Sequence, residues 1–195
     1  KAAAEVFWAQ LLAGQTHIRM DNAFRAEQIL DEIYTKELPK AMLFEAQKTM
    51  AALHIQKKSW EQAQQWVESA AELAPNKAQK VRLTYLNAQL YALLKKRYES
   101  ALAYEAVLKL HPDDYDITFS AQIKRAENFD VYMEDIAVIE KDLGKMLRDD
   151  KNITYRDQIY YVWALKRLDL EHFPEAEKLL VQSIQSSVDN PKQKG

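Results

Sequence analysis

The chain has no cysteine, and only three glycines and five prolines among its 195 residues. Without cysteine it can form no disulfide bond, no thiolate metal site and no cysteine nucleophile. So little glycine and proline is unfavourable for a sheet with many tight turns, for long loops and for disorder. The residues that dominate instead, Ala, Leu, Gln, Glu and Lys, all suit helix interiors. The sequence therefore predicts an all-α fold.

Strong charge of either sign is also missing. With a net charge of −2 and a pI near 6.1, the chain has no strongly basic surface to attract a phosphate backbone, so nucleic acid is not predicted as a partner. No apolar run is long enough to span a bilayer, so the chain is expected to be soluble. The chain starts at Lys1 without a signal peptide, and we interpret it as a piece of a longer protein.

Signatures of catalysis are missing as well. The three glycines are isolated, which excludes a glycine-rich loop around a phosphate: Gly14, Gly144 and Gly195. The four histidines are dispersed, and the first two occupy the same inward position of a helix, which is typical of core or seam residues: His17, His54, His111 and His172. His172 and Glu175 have metal-like spacing without a third ligand nearby. We therefore predict no catalytic residue, no metal and no cofactor, and the chain is not expected to be an enzyme.

What the chain does have is a repeated cue, in which an aromatic or small residue is followed three positions later by alanine. The cue occurs at Ala23/Ala26, Trp60/Ala63, Tyr98/Ala101 and Phe173/Ala176. The alanines are 37, 38 and 75 residues apart, so a degenerate copy is expected near Ala137. A two-helix repeat of this length cannot bury its apolar face alone and must stack on its neighbours. This predicts a solenoid, an architecture that usually serves binding.

Five helical hairpins follow from this period, as one continuous array over residues 1–195 in a right-handed superhelix. Their predicted bounds are 2–36, 40–73, 77–110, 115–148 and 154–188, with the start of a sixth repeat at Asn190 and Pro191. Three prolines fall after a second helix, where proline cannot continue the ladder: Pro39, Pro75 and Pro112. Ser59 fits the N-cap of one helix, and Asp113 and Asp114 can cap another.

The repeat resembles the tetratricopeptide repeat. Residues 44–77 match it through Met50, Ala51, His54, Trp60, Ala63, Val67, Ala70 and Pro75. Residues 81–112 match with one extra residue in the turn at Lys95–Arg97, and residues 157–190 match through Tyr160, Trp163, Ala164, Phe173, Ala176 and Leu180. In this pattern small residues let two helices approach closely, and aromatic residues fill the holes between adjacent repeats.

A narrower resemblance covers residues 81–195 and rests on the stretch KMLRDDKNITYRDQIYYVWA at residues 145–164. It is similar to the tetratricopeptide lipoproteins of Bacteroidetes that serve gliding motility and type IX secretion, the SprE/PorW family. Val162 and Trp163 depart from the small residues of that family's helix. The resemblance implies an outer-membrane lipoprotein that faces the periplasm and holds components of the secretion apparatus together, without catalytic activity.

The resemblance to tetratricopeptide arrays also implies a partner-binding groove, lined by first-helix positions that face away from the second helix. These positions are Gln15, Arg19, Lys48, Gln56, Tyr85, Gln89, Lys124, Tyr161 and Leu165. Tyrosines flanked by Lys, Arg and Gln suit an extended peptide or a partner helix. The alternative is that Tyr85 and Tyr161 only pack between repeats. A clamp for a peptide's C-terminal carboxylate is incomplete, because Tyr85 and Gln89 stand where the third hairpin would need its ligands.

Three hypotheses for function remain open at this point. The first is a non-catalytic protein–protein interaction scaffold, an accessory of the type IX secretion and gliding apparatus. The second is a domain that recruits partners or substrates for a larger regulatory protein or enzyme. The third is self-assembly through the unsealed end faces of the array. Flanking sequence discriminates the first two, since a lipobox and further repeats favour the first and a catalytic domain favours the second.

Overall fold

A computed structural model describes residues 2–34 and 37–187 of the chain. These residues form ten α-helices and one 3₁₀ helix, without a strand, which confirms the all-α class. The α-helices are α1 Ala2–Arg19, α2 Ala23–Tyr34, α3 Lys40–Gln56, α4 Trp60–Leu73, α5 Lys77–Leu93, α6 Arg97–Lys109, α7 Tyr115–Asn128, α8 Ile136–Arg148, α9 Arg156–Asp169 and α10 Phe173–Ser187. Asn190 and Pro191, where a sixth repeat is predicted, lie outside the described residues.

Two helices, predicted to begin at residues 131 and 154, begin two or more residues later in the structure, and an aspartate caps the chain before each. Helix α8 begins at Ile136, because Asp135 is its N-cap and accepts a hydrogen bond from the Ala137 amide. Before α9 the chain first forms a 3₁₀ helix, Asp150–Tyr155, whose N-cap Asp149 accepts from the Lys151 amide.

The predicted caps have mixed outcomes. Asp114 caps α7 by accepting from the Asp116 amide, as expected, whereas Asp113 is not the cap. Ser59 occupies the N-cap position of α4, but its side chain makes no capping hydrogen bond.

The chain divides into two compact units, Lys1–Lys96 and Arg97–Gly195. In unit 1, α1, α2 and α3 enclose one core: Phe7, Leu11, Ala26, Leu30, Ile33, Ala46, Met50 and Leu53. A second core lies among α3, α4 and α5: Phe44, Ala51, Ala63, Val67, Ala70, Ala71, Leu83 and Leu90. A Cβ at Gly14 would lie 3.1 Å from Leu30 Cδ2, so Gly14 allows the close approach of α1 and α2. The single array over residues 1–195 stays a prediction.

In unit 2, α7, α8 and α9 share a core: Phe119, Ile123, Ala126, Phe129, Ile139, Leu143, Met146, Ile159 and Val162. Helix α10 packs on α9 through Ala176, which is fully buried. Lys166 is also buried and donates from Nζ to the carbonyl oxygens of Glu127 and Phe129 at 3.1 and 3.2 Å. It thereby satisfies carbonyls at the C-terminus of α7 that have no partner within that helix.

Four turns share one geometry, although none contains glycine. In each, a residue with positive φ follows the first helix of a hairpin: Asp21, Lys58, Lys95 and Glu171, with φ between 56° and 61°. The amide of the next residue donates to the carbonyl five residues before it, as Ser59 does to His54. The amide of the positive-φ residue itself donates to the carbonyl three residues before it. This is the Schellman motif, in which glycine is the usual left-handed residue. The motif recurs after 37, 37 and 76 residues, which gives the repeat an exact register.

That register corrects the third hairpin. The turn at Lys95 has the same length as the turn at Lys58, so no extra residue is inserted, and α6 begins at Arg97 as α4 begins at Trp60. Ser100 therefore occupies the position equivalent to Ala63 and is completely buried. Ala101, the alanine of the predicted cue, is buried as well but lies one residue beyond that position. Tyr98 stands one residue beyond the position of Trp60 and is exposed, which contradicts its predicted role as a filler between repeats.

The fourth and fifth hairpins also differ from the prediction. Ala137 is exposed because it lies in the first turn of α8, and the buried position four residues after the N-cap is Ile139. The degenerate repeat is therefore present, but two residues later and with a larger side chain. Phe173 was predicted to fill a hole between repeats and is 61 % exposed.

Candidate functional site

The predicted groove residues keep one register in the structure. In each Schellman turn one carbonyl accepts from the amide five residues later, and this carbonyl belongs to His54, Tyr91 or Arg167. Lys48, Tyr85 and Tyr161 each lie six residues before that carbonyl in their own hairpin. Gln15, Gln89 and Leu165 lie two residues before the equivalent carbonyl, and Arg19 and Gln56 two residues after it. Eight of the nine predicted groove residues thus occupy one of three positions that recur from hairpin to hairpin, and Lys124 on α7 is not among them.

In unit 1 three of these residues come together. Gln15 and Arg19 of α1 and Lys48 of α3 line one surface cavity of about 300 Å³. Gln15 Nε2 donates to Thr49 Oγ1 at 3.1 Å, which joins the two helices across the floor of the cavity. Arg19 is exposed at the rim. The cavity thus has a mixed polar lining with a cation on each helix.

The electrostatics of this cavity are set by a local ion pair. Lys48 Nζ lies 3.0 Å from Glu45 Oε2 and 4.8 Å from the centre of the Phe44 ring. Both partners are half-exposed, so the pair is open to competition by a bound group. Lys48 is therefore oriented by Glu45 and the Phe44 ring while its side chain stays partly open to solvent.

Gln56 hydrogen-bonds to the turn of the first hairpin. Its Nε2 donates to the Ile18 carbonyl at 2.8 Å and to Asp21 Oδ1 at 2.6 Å, and it is not among the residues that line the cavity. It ties the end of α3 to the turn of the first hairpin. Tyr85 and Gln89 lie one turn apart on α5, half-buried and exposed respectively, and neither lines the cavity of α1 and α3.

In unit 2 the predicted residues are less concentrated. Lys124 on α7 pairs with Glu127 at 2.7 Å. Tyr161 on α9 is 50 % exposed and lines a second cavity of about 200 Å³ together with Glu127. Leu165 is half-buried one turn further along α9. Tyr161 is thus a surface residue rather than a filler between helices.

Sequence reasoning missed the most unusual member of this second cavity, Asp157. It is the second residue of α9 and is only 3 % exposed, and neither carboxylate oxygen has a hydrogen-bond partner among the described residues. A buried polar group without a partner is rare and calls for an explanation. The sequence signal was mixed, because Asp157 lies two helical turns before the buried Ala164 but one turn before the exposed Tyr161.

A third cavity, of about 320 Å³, lies among α6, α7, α8 and the 3₁₀ helix. On its wall Arg125 pairs with Asp142 at 3.0 Å and with Glu105 at 3.4 Å. Hydrogen bonding by Lys109 and the charge of Arg125 together hold the pKa of Glu105 below its usual value.

The polar groups at the other end of this cavity also have partners within the chain. Tyr115 donates to Asn152 Oδ1 at 2.6 Å, and burial raises the pKa of its hydroxyl. Asn152 in turn donates to the Met146 carbonyl at 2.9 Å. These two hydrogen bonds join α7 to the 3₁₀ helix and the 3₁₀ helix to α8.

The histidines divide between core and surface. His54 is buried, and burial is the main cause that lowers its pKa. His17, at the equivalent place in α1, is half-buried, whereas His111 and His172 are exposed in turns and are not the core residues that were predicted. Within residues 2–34 and 37–187, no three His, Asp or Glu side chains are grouped so that they could hold a metal ion.

Comparison with known proteins adds no relative. Neither a scan against protein-family models nor a search of curated proteins gives a match to this chain. Among the helices that the structure describes, none has the length and apolar character needed to cross a membrane. The interpretation of function therefore depends on the chain's own residues.

Proposed function

We propose that this chain is a non-catalytic protein–protein interaction scaffold that binds a peptide segment or a helix of a partner along its first helices. The observation that carries the proposal is the cavity of α1 and α3, where Gln15, Arg19 and Lys48 line one concave surface. Equivalent register positions on α5 and α9 present Tyr85 and Tyr161. Polar and aromatic groups in this proportion are typical of surfaces that bind peptides rather than of catalytic centres.

The cellular setting of this proposal comes from the resemblance of residues 145–164 to the SprE/PorW lipoproteins. On that basis the scaffold is an accessory of the type IX secretion and gliding apparatus at the periplasmic face of the outer membrane. Its partners are then other components of that apparatus, and the whole protein is lipid-anchored. The structure supports the helical repeat that this role needs.

Affinity capture from a native cell envelope tests the scaffold role, with the chain as bait and the captured proteins identified by mass spectrometry. The double variant Lys48→Glu/Tyr85→Ala is expected to lose the specific partner, because it places two carboxylates at positions 45 and 48 and removes an aromatic contact. Its helical circular dichroism signal is expected to match that of the wild type.

The matched control is Gln65→Ala/Glu72→Lys, which changes exposed residues of the second helix α4. This variant should capture the partner as well as the wild type does. Capture that survives the Lys48/Tyr85 changes and is lost in the control variant would reject the groove and point to binding by the second helices. Recovery of a catalytic domain on the same natural chain would instead favour a recruiting role within an enzyme.

A further inference from the structure

The carboxylate of Asp157 is buried without a hydrogen-bond partner in the described part of the chain. Removing a carboxylate from water costs several kcal/mol unless a cation or hydrogen-bond donors replace the water. Both carboxylate oxygens of Asp157 are buried, and neither has such a partner among residues 2–34 and 37–187. The start of α9 favours a negative charge through the helix dipole, but this contributes at most about 2 kcal/mol even in a partly buried geometry. The described fold therefore does not offset the full cost of burying this carboxylate.

The cavity beside Asp157 shows what kind of group would fit. Its walls combine apolar side chains of α7 and α9, Ile123 and Val162, with the half-exposed Tyr161 ring at the mouth. Glu127 is a second carboxylate on the lining, already paired with Lys124. The volume, about 200 Å³, lies below the range of roughly 300–1,000 Å³ that is usual for small-molecule pockets. It suits a single side chain.

We propose that this cavity is a subsite for one lysine or arginine side chain of the partner protein, with Asp157 as its counter-ion. The aliphatic stem would pack against Ile123 and Val162, and a change of the Asp157 rotamer on binding would bring its carboxylate, which is buried in the unbound chain, to the cationic head. Tyr161 offers a ring face for a cation–π contact at the entrance. The inference rests on the proposed scaffold function, since it assigns the chemistry of the segment that binds at Tyr161.

A divalent cation explains the cavity less well. Mg²⁺ and Ca²⁺ need six or more oxygen ligands, whereas Glu127 is engaged by Lys124 and two walls of the cavity are apolar. The remaining polar lining, Gln158 and Ser183, is also partly committed, because Ser183 Oγ donates to the Asp157 carbonyl at 2.8 Å. A basic side chain uses both the carboxylate and the apolar walls.

An NMR titration with a defined probe tests the subsite on the full chain. The probe is the capped tripeptide Gly-Lys-Gly, and its reference is the same peptide with norleucine, which keeps the stem and lacks the charge. The lysine peptide is expected to shift the Tyr161 ring, the Val162 methyl groups and the Asp157 amide, with an affinity in the millimolar range. The norleucine peptide is expected to bind at least about tenfold more weakly. Equal shifts with both peptides, or none, would overturn the proposal, as would saturation of the same signals by MgCl₂ or CaCl₂ alone.

Asp116 supplies a matched control, because it is the second residue of α7 as Asp157 is of α9, but is exposed. Asp157→Asn should lower the affinity for the lysine peptide at least about tenfold, and Asp116→Asn should leave it unchanged. Without peptide, Asp157→Asn should melt no lower than Asp116→Asn, since both lose the same dipole contribution and only Asp157 is an uncompensated buried charge. A clearly lower melting temperature for Asp157→Asn would show that the carboxylate is structural and would reject the subsite.

The same variants separate this inference from the scaffold proposal. If the Lys48/Tyr85 variant loses the partner while Asp157→Asn captures it normally and the lysine peptide does not bind, the subsite is rejected and the scaffold stands. If the lysine peptide binds at Asp157 and capture does not depend on Lys48 and Tyr85, the subsite stands and the proposed groove is rejected.

Discussion

Lys58 and Lys95 occupy the same place in two successive helical hairpins, 37 residues apart, and both adopt the left-handed conformation, with φ of 56° and 61°. A residue with a Cβ is strained there, while glycine is not. Lys58→Gly and Lys95→Gly are therefore each expected to stabilise unit 1 by about 1 kcal/mol, measured by urea unfolding. Lys58→Ala is the control, since it removes the long side chain but keeps the Cβ. A gain of equal size in Lys58→Ala would mean that the strain is not in the backbone.

The buried alanine of the second helix sets how closely two helices cross. Ala63 is completely buried in α4, whereas Ala137 in α8 is exposed. Ala63→Leu should overpack the core and lower the unfolding free energy by roughly 1–3 kcal/mol. Ala137→Leu should change it by less than about 0.5 kcal/mol. Thermal unfolding followed by circular dichroism compares the two, and equal effects would contradict the register given by the turns.

Lys166 joins α9 to the end of α7. Replacing it by methionine keeps the apolar stem but removes the donor to the buried Phe129 carbonyl and one of the two donors to the Glu127 carbonyl, which also accepts from Arg97 at 3.3 Å. Lys166→Met is therefore expected to destabilise unit 2 by about 1–3 kcal/mol. Lys166 also pairs with Asp169 at 2.8 Å, and Lys145→Met is the control, because Lys145 makes a similar pair with Asp142 at the surface, where ion pairs contribute little. If both variants unfold at the same urea concentration, the hydrogen bonds of Lys166 to α7 do not stabilise the fold.

Stability should also depend on the protonation of His54. Burial lowers its pKa in the folded chain below the value of about 6.5 for an unfolded histidine. Between these two pKa values the unfolded chain binds more protons, so the folded state loses stability as the pH falls through this window. His54→Leu removes that loss. Between pH 8 and pH 5, the unfolding free energy of the wild type should therefore fall relative to that of His54→Leu. A difference that stays constant would contradict the shift.

How much of the fold could be predicted depends on which contacts are local. Ala26, Ala63 and Ala176 identify the hairpins because a helix crossing requires a small residue at a fixed place. The same cue fails at Tyr98, one residue out of register, because the Schellman turn before it contains lysine and leaves no glycine in the sequence to mark it. Ile139 was missed because the fourth hairpin meets the same spacing with a larger side chain.

The register of the candidate site could be predicted from the sequence, and the contacts of its side chains could not. Lys48, Tyr85 and Tyr161 were placed by the resemblance to tetratricopeptide arrays, and the turns show that they occupy equivalent positions in their hairpins. What each side chain contacts depends on neighbours that are distant in sequence. Gln56 binds a carbonyl 38 residues away, and Asp157 loses its water to the packing of other helices. No pattern within one helix contains that information.

The hydrogen bonds of Gln56 make the first turn of the chain a shared element. Its amide nitrogen binds the carbonyl of Ile18 and the carboxylate of Asp21, the left-handed residue of that turn. Opening of the turn between α1 and α2 therefore breaks both hydrogen bonds that the side chain of Gln56, the last residue of α3, donates to it. Fraying of the first hairpin is coupled to the end of the second, so amide protons at the end of α1 and at the end of α3 should exchange with solvent at a common rate. In two independent hairpins, the amide protons at these two helix ends would exchange at unrelated rates.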